Sequence, residues 1–224
     1  MHIVRVWDLP TRLFHWTLAA CIVGLVITGN IGGNWMNWHL RLGYAVLTLL
    51  LFRLVWGLVG GHWSRFGSFL YAPGTVWRYL KGRGDAAHGV GHNPLGALSV
   101  FALLAVMLLQ VGTGLISDDE IAFTGPLVRF VSGDTISSAT AYHKNVGKFI
   151  VIGLVVLHLL AILFYKLVRK QSLVRPMVVG DKQLSVAAPS ARDGTGSRLL
   201  ALVVLGICAG VVRWVVSLGA FAGY

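Results

Sequence analysis

The sequence predicts an all-α membrane protein with five transmembrane helices, the fifth C-terminal, and three observations carry that reading. Hydrophobic residues fill 56% of the 224 positions and charged residues only 12%, about half the charged share of soluble domains. Apolar stretches near the ~20 residues that cross a bilayer occur at about 13–30, 40–60, 95–116, 145–167 and 199–220. Four histidines, His15, His39, His143 and His158, stand inside or at the rim of those stretches. Imidazole is costly in hydrocarbon, so its presence marks a functional site or a ligand to something buried.

The first span follows MHIVRVWDLPTRLFHW, where Asp8, Pro10 and Thr11 form a helix-start signal with Thr11 as the expected N-cap. Its apolar run reaches spanning length without a small-residue cleavage site, so it reads as a retained helix rather than a signal peptide. GNIGGNW at 29–35 is a turn-rich connection to the second span. Loop 61–93 interleaves Trp63, Phe66, Phe69, Tyr71, Trp77 and Tyr79 with basic residues, the pattern of a segment lying in the membrane interface. Loop 117–142 is acidic and long enough for a short helix at 125–132. Loop 171–198 turns polar and rich in Gly and Ser, a tether to the fifth span.

Charge sets orientation. Arg5 and Arg12 precede the first span, Arg65, Arg78, Lys81 and Arg83 follow the second, and seven further bases lie between the fourth and fifth. The opposite loops are uncharged (31–38) or acidic (117–142, with Asp118, Asp119, Glu120 and Asp134 against Arg129). Basic loops stay in the cytoplasm, which predicts a multi-pass inner-membrane protein with its N-terminus inside and its C-terminus outside. The net charge of +11 is accounted for by this asymmetry and does not call for a nucleic acid partner. Cys21 and Cys208 lie in separate spans and read as inert buried thiols, and no C-x-x-C-H is present for covalent haem attachment.

Depth pairs the histidines. His39 and His143 both stand where a helix enters from outside, so they share the outer level. His158 lies fifteen residues after His143, roughly 22 Å further in at about 1.5 Å per residue. It thereby meets His15, which opens a helix entering from the cytoplasm. The expected pairs are His15 with His158 and His39 with His143. Two imidazoles on one iron leave no open position, and two such sites predict bis-histidine haems used for electron transfer.

Other residues fall around these pairs. WHLRLGYAVL at 38–47 and YHKNVGKFIV at 142–151 each carry a glycine four residues after the histidine, Gly43 and Gly147. One turn along the same face, either clears space for a flat macrocycle or lets helices pack closely. Arg53 lies fourteen residues after His39 and serves either as partner to an inner-haem propionate or as a snorkelling cation. Arg41, Lys144 and Lys148 flank the outer pair and Arg12 the inner one, each a propionate partner or a plain interfacial charge. His92, in GHNPLG just before the third span, is the candidate quinone-proximal residue.

RVWDLPTRLFHW, WHLRLGY with FRLVWGLVG, GHNPLGA and YHKNVGK stand in fixed order. Over residues 1–170 the chain resembles the bacterial cytochrome b561 family, which includes the b-type cytochrome subunits of nickel–iron hydrogenases. The resemblance implies a four-helix core at 1–170 holding two haem b groups, with iron ligands at His15, His39, His143 and His158. It implies quinone or quinol as exchangeable substrate, coupled to a redox partner such as a c-type cytochrome or a periplasmic or membrane enzyme. Beyond the core, 171–198 is expected as a cytoplasmic linker and 199–224 as an additional transmembrane helix, for lipid anchoring, partner docking or a homodimer contact. Three other readings compete: a stand-alone superoxide:quinone oxidoreductase, a subunit of a hydrogenase-like complex, and a histidine-based proton-coupled transporter. The spans carry none of the carboxylates a transporter would use.

Overall fold

A computed structural model describes residues 2–184 and 187–220; residue 1, residues 185–186 of the anticipated linker and residues 221–224 of the anticipated last helix lie outside the described residues. The elements are β1 (His2–Arg5), α1 (Leu9–Ile31), α2 (Met36–Val59), α3 (Pro73–Leu80), α4 (Pro94–Leu115), α5 (Gly133–Tyr142), α6 (Lys148–Leu167), α7 (Val174–Val179), β2 (Asp181–Leu184) and α8 (Thr195–Ala220). Among the described residues five helices are long and apolar enough to cross a membrane: Leu9–Ile31, Gly33–Val59, Pro94–Leu115, Gly133–Leu167 and Thr195–Gly219. All five anticipated spans are present, and each begins earlier than its apolar run.

At three of the five spans a polar cap, Asp8, Asn93 or Ser132, extends the helix beyond its hydrocarbon-matched stretch. At α1 the cap is Asp8, not Thr11. The Asp8 carboxylate accepts the Thr11 amide at 2.9 Å, and its carbonyl accepts the Arg12 amide. Pro10, which has no amide hydrogen to leave unpaired, fits the first turn behind this cap. At α4, Asn93 accepts the Gly96 amide at 2.8 Å and Pro94 opens the helix. The fourth span starts ten residues before His143, at Gly133, with Ser132 as its cap. The acidic loop therefore holds a short 3-10 turn at Val128–Phe130 and a full helical turn set that runs on into the span.

The residues form two compact units. The first gathers Met1–His15, Arg53–Ala102 and Val156–Val204; the second gathers Trp16–Phe52, Leu103–Val155 and Leu205–Tyr224. In the first unit β1 pairs antiparallel with β2, in the register His2↔Leu184 to Arg5↔Asp181. Val4, Val6, Trp7 and Val90 form a small core there, joined by Trp63 and Met177. Gly180 ends α7 at φ 93°, a left-handed turn that favours glycine, and its carbonyl takes the Val6 and Trp7 amides. Asp193 accepts from Arg5 at 2.6 Å and from the Leu9 amide at 3.0 Å. The stretch read as a tether is thus a structured clasp on the N-terminal strand, because its acids meet the bases that precede α1.

In the same unit the aromatic loop is pinned rather than loose. Trp63 Nε1 donates to the Pro189 carbonyl at 2.7 Å, and the Tyr79 and Tyr165 hydroxyls lie 2.9 Å apart. Burial, with the Tyr165 hydrogen bond next, pushes the Tyr79 phenol up to about 12. Trp77 and Leu80 of α3 stay exposed, as an interfacial helix requires. In the second unit, Gly32 and Gly33 at φ 70° and 55° make the tight turn between α1 and α2.

Candidate cofactor sites

Each unit holds one histidine pair. In the first, the His15 and His158 ring centres lie 6.3 Å apart with planes inclined at 51°. In the second, those of His39 and His143 lie 6.1 Å apart at 87°. An imidazole nitrogen sits about 2.0 Å from a coordinated metal and roughly 1.1 Å from its ring centre, so two rings facing one ion are separated by about 6.2 Å. Both pairs have that separation. Rotation about the shared axis leaves the angle between ring planes free. Among the described residues no group of three or more His, Cys, Asp or Glu side chains could hold a metal ion. A metal taking two protein donors must bring its other ligands with it, as iron in a porphyrin does. The donor set fits haem.

The second pair is fixed through the backbone. His39 Nδ1 lies 3.1 Å from the Leu25 carbonyl, and His143 Nδ1 lies 2.8 Å from the Gln110 carbonyl. A carbonyl only accepts, so each Nδ1 carries the proton and each Nε2 keeps its lone pair for a metal. A cavity of about 470 Å³ opens beside the two rings, lined in part by Gly43, Met107, Lys144 and Lys148. That volume lies in the range of cofactor sites.

Gly43 faces this cavity with open space at its Cβ position. Gly147 does not: it packs against Gln110 Oε1 and Tyr142. Residues His143–Gly147 form a π-helical turn. Gln110 fills the gap, its Nε2 donating to the His143 carbonyl at 3.0 Å.

The flanking bases divide. Lys144 and Lys148 line the cavity, with Lys148 Nζ also 3.5 Å from Asn30 Oδ1. Arg41 stands outside the lining, its guanidinium 5.2 Å over the Trp38 ring. Two positions beyond His39 on an α-helix is about 200° around the axis, which turns Arg41 away from the pair. Arg12 is engaged elsewhere, donating to the Val178 carbonyl at 2.6 Å and lying 3.8 Å from Asp193.

The first pair stands among buried polar groups. Arg53 is only 3% exposed, so it does not reach headgroups. Its guanidinium lies 4.6 Å over the Phe66 ring, and Nη1 has no hydrogen-bond partner among the described residues. A buried cation with an unused donor fits an anionic group such as a carboxylate. Asp8 is fully buried. Besides capping α1 it accepts from Trp56 Nε1 at 3.2 Å, the Gly61 amide at 3.1 Å and Ser64 Oγ at 2.9 Å. His92 lies between Trp7 and Phe69, at ring-centre distances of 4.6 and 4.3 Å. Burial, then the charge of Arg53, pushes its imidazole down to about 3, so it is neutral at physiological pH.

Sequence reasoning did not single out Asp8 as the keystone at this end, nor Gln110. A lone amide inside an apolar span was the available signal for Gln110.

Residues 6–180 match the family of prokaryotic cytochrome b561. Among similar proteins, the probable Ni/Fe-hydrogenase B-type cytochrome subunit of Bradyrhizobium diazoefficiens is 23% identical over 80% of this chain and 86% of its own length. That of Azotobacter vinelandii is 26% identical over 79% and 87%. The probable Ni/Fe-hydrogenase 1 B-type cytochrome subunit of Escherichia coli K12 is 24% identical over 78% and 88%. The match spans α1 to α7 and leaves α8 outside. With five membrane-length helices and paired histidines, the chain belongs to the prokaryotic cytochrome b561 family and is a membrane b-type cytochrome.

Proposed function

We propose that this chain is a di-haem cytochrome b of the bacterial inner membrane that carries electrons between the quinone pool and a redox partner. The observation that carries the reading is the shared spacing of the two histidine pairs, 6.3 and 6.1 Å between ring centres. When bound, each haem supplies a one-electron ferric–ferrous couple. His15 with His158 and His39 with His143 are the four axial ligands. Arg53 is the counter-charge for a propionate at the first pair, and Lys144 and Lys148 serve the second.

The N-terminus is proposed to face the cytoplasm, following the basic loops. Quinone exchange is assigned to the side of His92, where the indole of Trp7 and the ring of Phe69 enclose the imidazole. The relatives named as hydrogenase subunits favour a membrane-bound redox enzyme as partner over a free c-type cytochrome. On α8, Leu202, Val203, Ile207 and Trp214 are exposed, a face suited to lipid or to a partner's helix.

A reduced-minus-oxidised spectrum with haem quantification on the purified chain tests the core of the reading. Two protohaems per polypeptide are expected; a colourless preparation refutes it. His92→Ala is expected to slow quinol oxidation while leaving both haems in place. Co-purification with an iron–sulfur enzyme, set against superoxide-driven quinone reduction by the chain alone, separates the complex subunit from the stand-alone oxidoreductase.

A further inference from the structure

The two histidines of the second unit rest on the same five-residue device, carried once by α1 and once by α4. The sequence reads LVITG at 25–29 and QVGTG at 110–114. In each copy the first residue offers its carbonyl to a histidine: Leu25 to His39 Nδ1 at 3.1 Å, Gln110 to His143 Nδ1 at 2.8 Å. In each copy the fourth residue is a threonine whose hydroxyl bonds back along its own helix. Thr28 Oγ1 donates to the Gly24 carbonyl at 2.7 Å, and Thr113 Oγ1 to the Leu109 and Gln110 carbonyls at 2.9 Å each. Such back-bonding bends a helix and tilts carbonyls out of the ladder. Both hydroxyls also approach their histidine's Nδ1, at 3.4 and 3.5 Å.

The fifth residue is a glycine, one turn beyond the accepting carbonyl and directly beneath the imidazole. A Cβ at Gly29 would lie 2.9 Å from His39 Cε1 and 3.0 Å from its Nδ1. At Gly114 it would lie 2.9 Å from His143 Cε1 and 3.3 Å from Nδ1. Carbon atoms pack at about 3.5–4.0 Å, so any side chain there must lift the ring off its carbonyl. Neither glycine is needed for backbone conformation, since both lie within regular helix. Neither His15 nor His158 is among the nearest neighbours of any glycine in the described residues.

We infer that Thr28–Gly29 and Thr113–Gly114 are paired positioning seats, which hold His39 and His143 as Nδ1-protonated rings with Nε2 presented to the second haem's iron. The inference rests on the axial-ligand reading above. The seats set ring orientation and ligand basicity for one haem and leave the other untouched. They explain why two helices without a ligand in this unit keep a polar threonine and a glycine in the hydrocarbon.

The test uses the full-length chain, purified with its haems. Gly29→Ala and Gly114→Ala are compared with Gly112→Ala, whose Cβ meets nothing within 4 Å. Haem per polypeptide, the low-spin electron paramagnetic resonance signals and a potentiometric titration are read for each. Expected is a selective change. One haem keeps its parental signal and midpoint, while the other shifts in both or is retained roughly 10–100-fold more weakly, the usual cost of disturbing a metal ligand's support. Gly112→Ala should match the parent. Where an alanine variant gives no protein, Thr28→Val and Thr113→Val, which keep the volume and remove the hydroxyl, should shift the same haem's midpoint. Unchanged signals in all four variants, or parallel disturbance of both haems, would overturn the inference. A parent chain without two haems would instead refute the ligand reading itself.

Discussion

The two histidine pairs have nearly the same spacing and very different surroundings. His39 and His143 are held by backbone: each ring meets a carbonyl on a neighbouring helix, over a glycine that leaves it room. His15 and His158 share their unit with a buried aspartate, a buried arginine and a neutral histidine, Asp8, Arg53 and His92. One site is fixed by shape and the other stands among charge. Shape tolerates changes of pH and salt but not of a methyl group. Charge tolerates small changes of volume but not removal of one partner, because a buried ion left unpaired is costly.

The largest expected effects come from the four histidines proposed as ligands. His39→Ala or His143→Ala should halve the haem content and abolish the signal of one haem only; His15→Ala or His158→Ala should abolish the other. If one substitution removes both haems, the sites are not independent and the contrast between them fails. Next in size is Asp8→Ala. It strands the Trp56, Gly61 and Ser64 donors and removes the α1 cap, at a cost of about 3 kcal/mol or more. A fall in thermal midpoint accompanied by preferential loss of the first unit's haem is expected. Loss confined to the second unit's haem would contradict the assignment of Asp8 to the first site.

Much of this was legible in the sequence, and for a common reason. Span number, the identity of the four histidines and their pairing depend on periodicity and rise, which a regular helix conserves. What was missed depends on departures from regularity. The π turn at His143–Gly147 has no signal in the apolar pattern, and of the two roles open to Gly147, macrocycle clearance and close packing, the structure shows packing against Gln110. Pro10 suggested a helix start behind it, yet Asp8 caps ahead of it. The polar composition of 171–198 suggested slack chain, although Asp181 and Asp193 were already complements to Arg5. Gly29 and Gly114 carried no signal by themselves; only the partner ring gives them meaning.

Acid should separate the two regions. His92 titrates at 6.5 when unfolded and near 3 when folded. Between those values the unfolded chain binds a proton that the folded chain does not. Stability therefore falls as pH drops below about 6.5, by up to about 1.4 kcal/mol per pH unit. The parent's melting midpoint is expected to decline across this window, and His92→Phe should flatten the decline. An equally steep slope in the variant would place the acid sensitivity elsewhere, the Asp193 carboxylate of the Arg5 clasp, held below its usual range, being the next candidate.

The smallest predicted effect probes the π turn. Gln110 spends one amide hydrogen on the His143 carbonyl, while its Oε1 is buried without a partner among the described residues. Gln110→Leu loses the bond but also removes the unsatisfied oxygen. Interhelical hydrogen bonds inside membranes average about 0.6 kcal/mol, so the two changes should nearly cancel in stability. The turn's geometry need not survive as well. With its carbonyl released, the segment His143–Gly147 can tighten towards α-helix, rotating His143 and extending that ring's contact with Gly114. Near-parental melting with a shifted signal from the second haem alone is the expected outcome. A variant that melts normally and keeps both signals would show that the turn is held by its own backbone, leaving the amide a bystander.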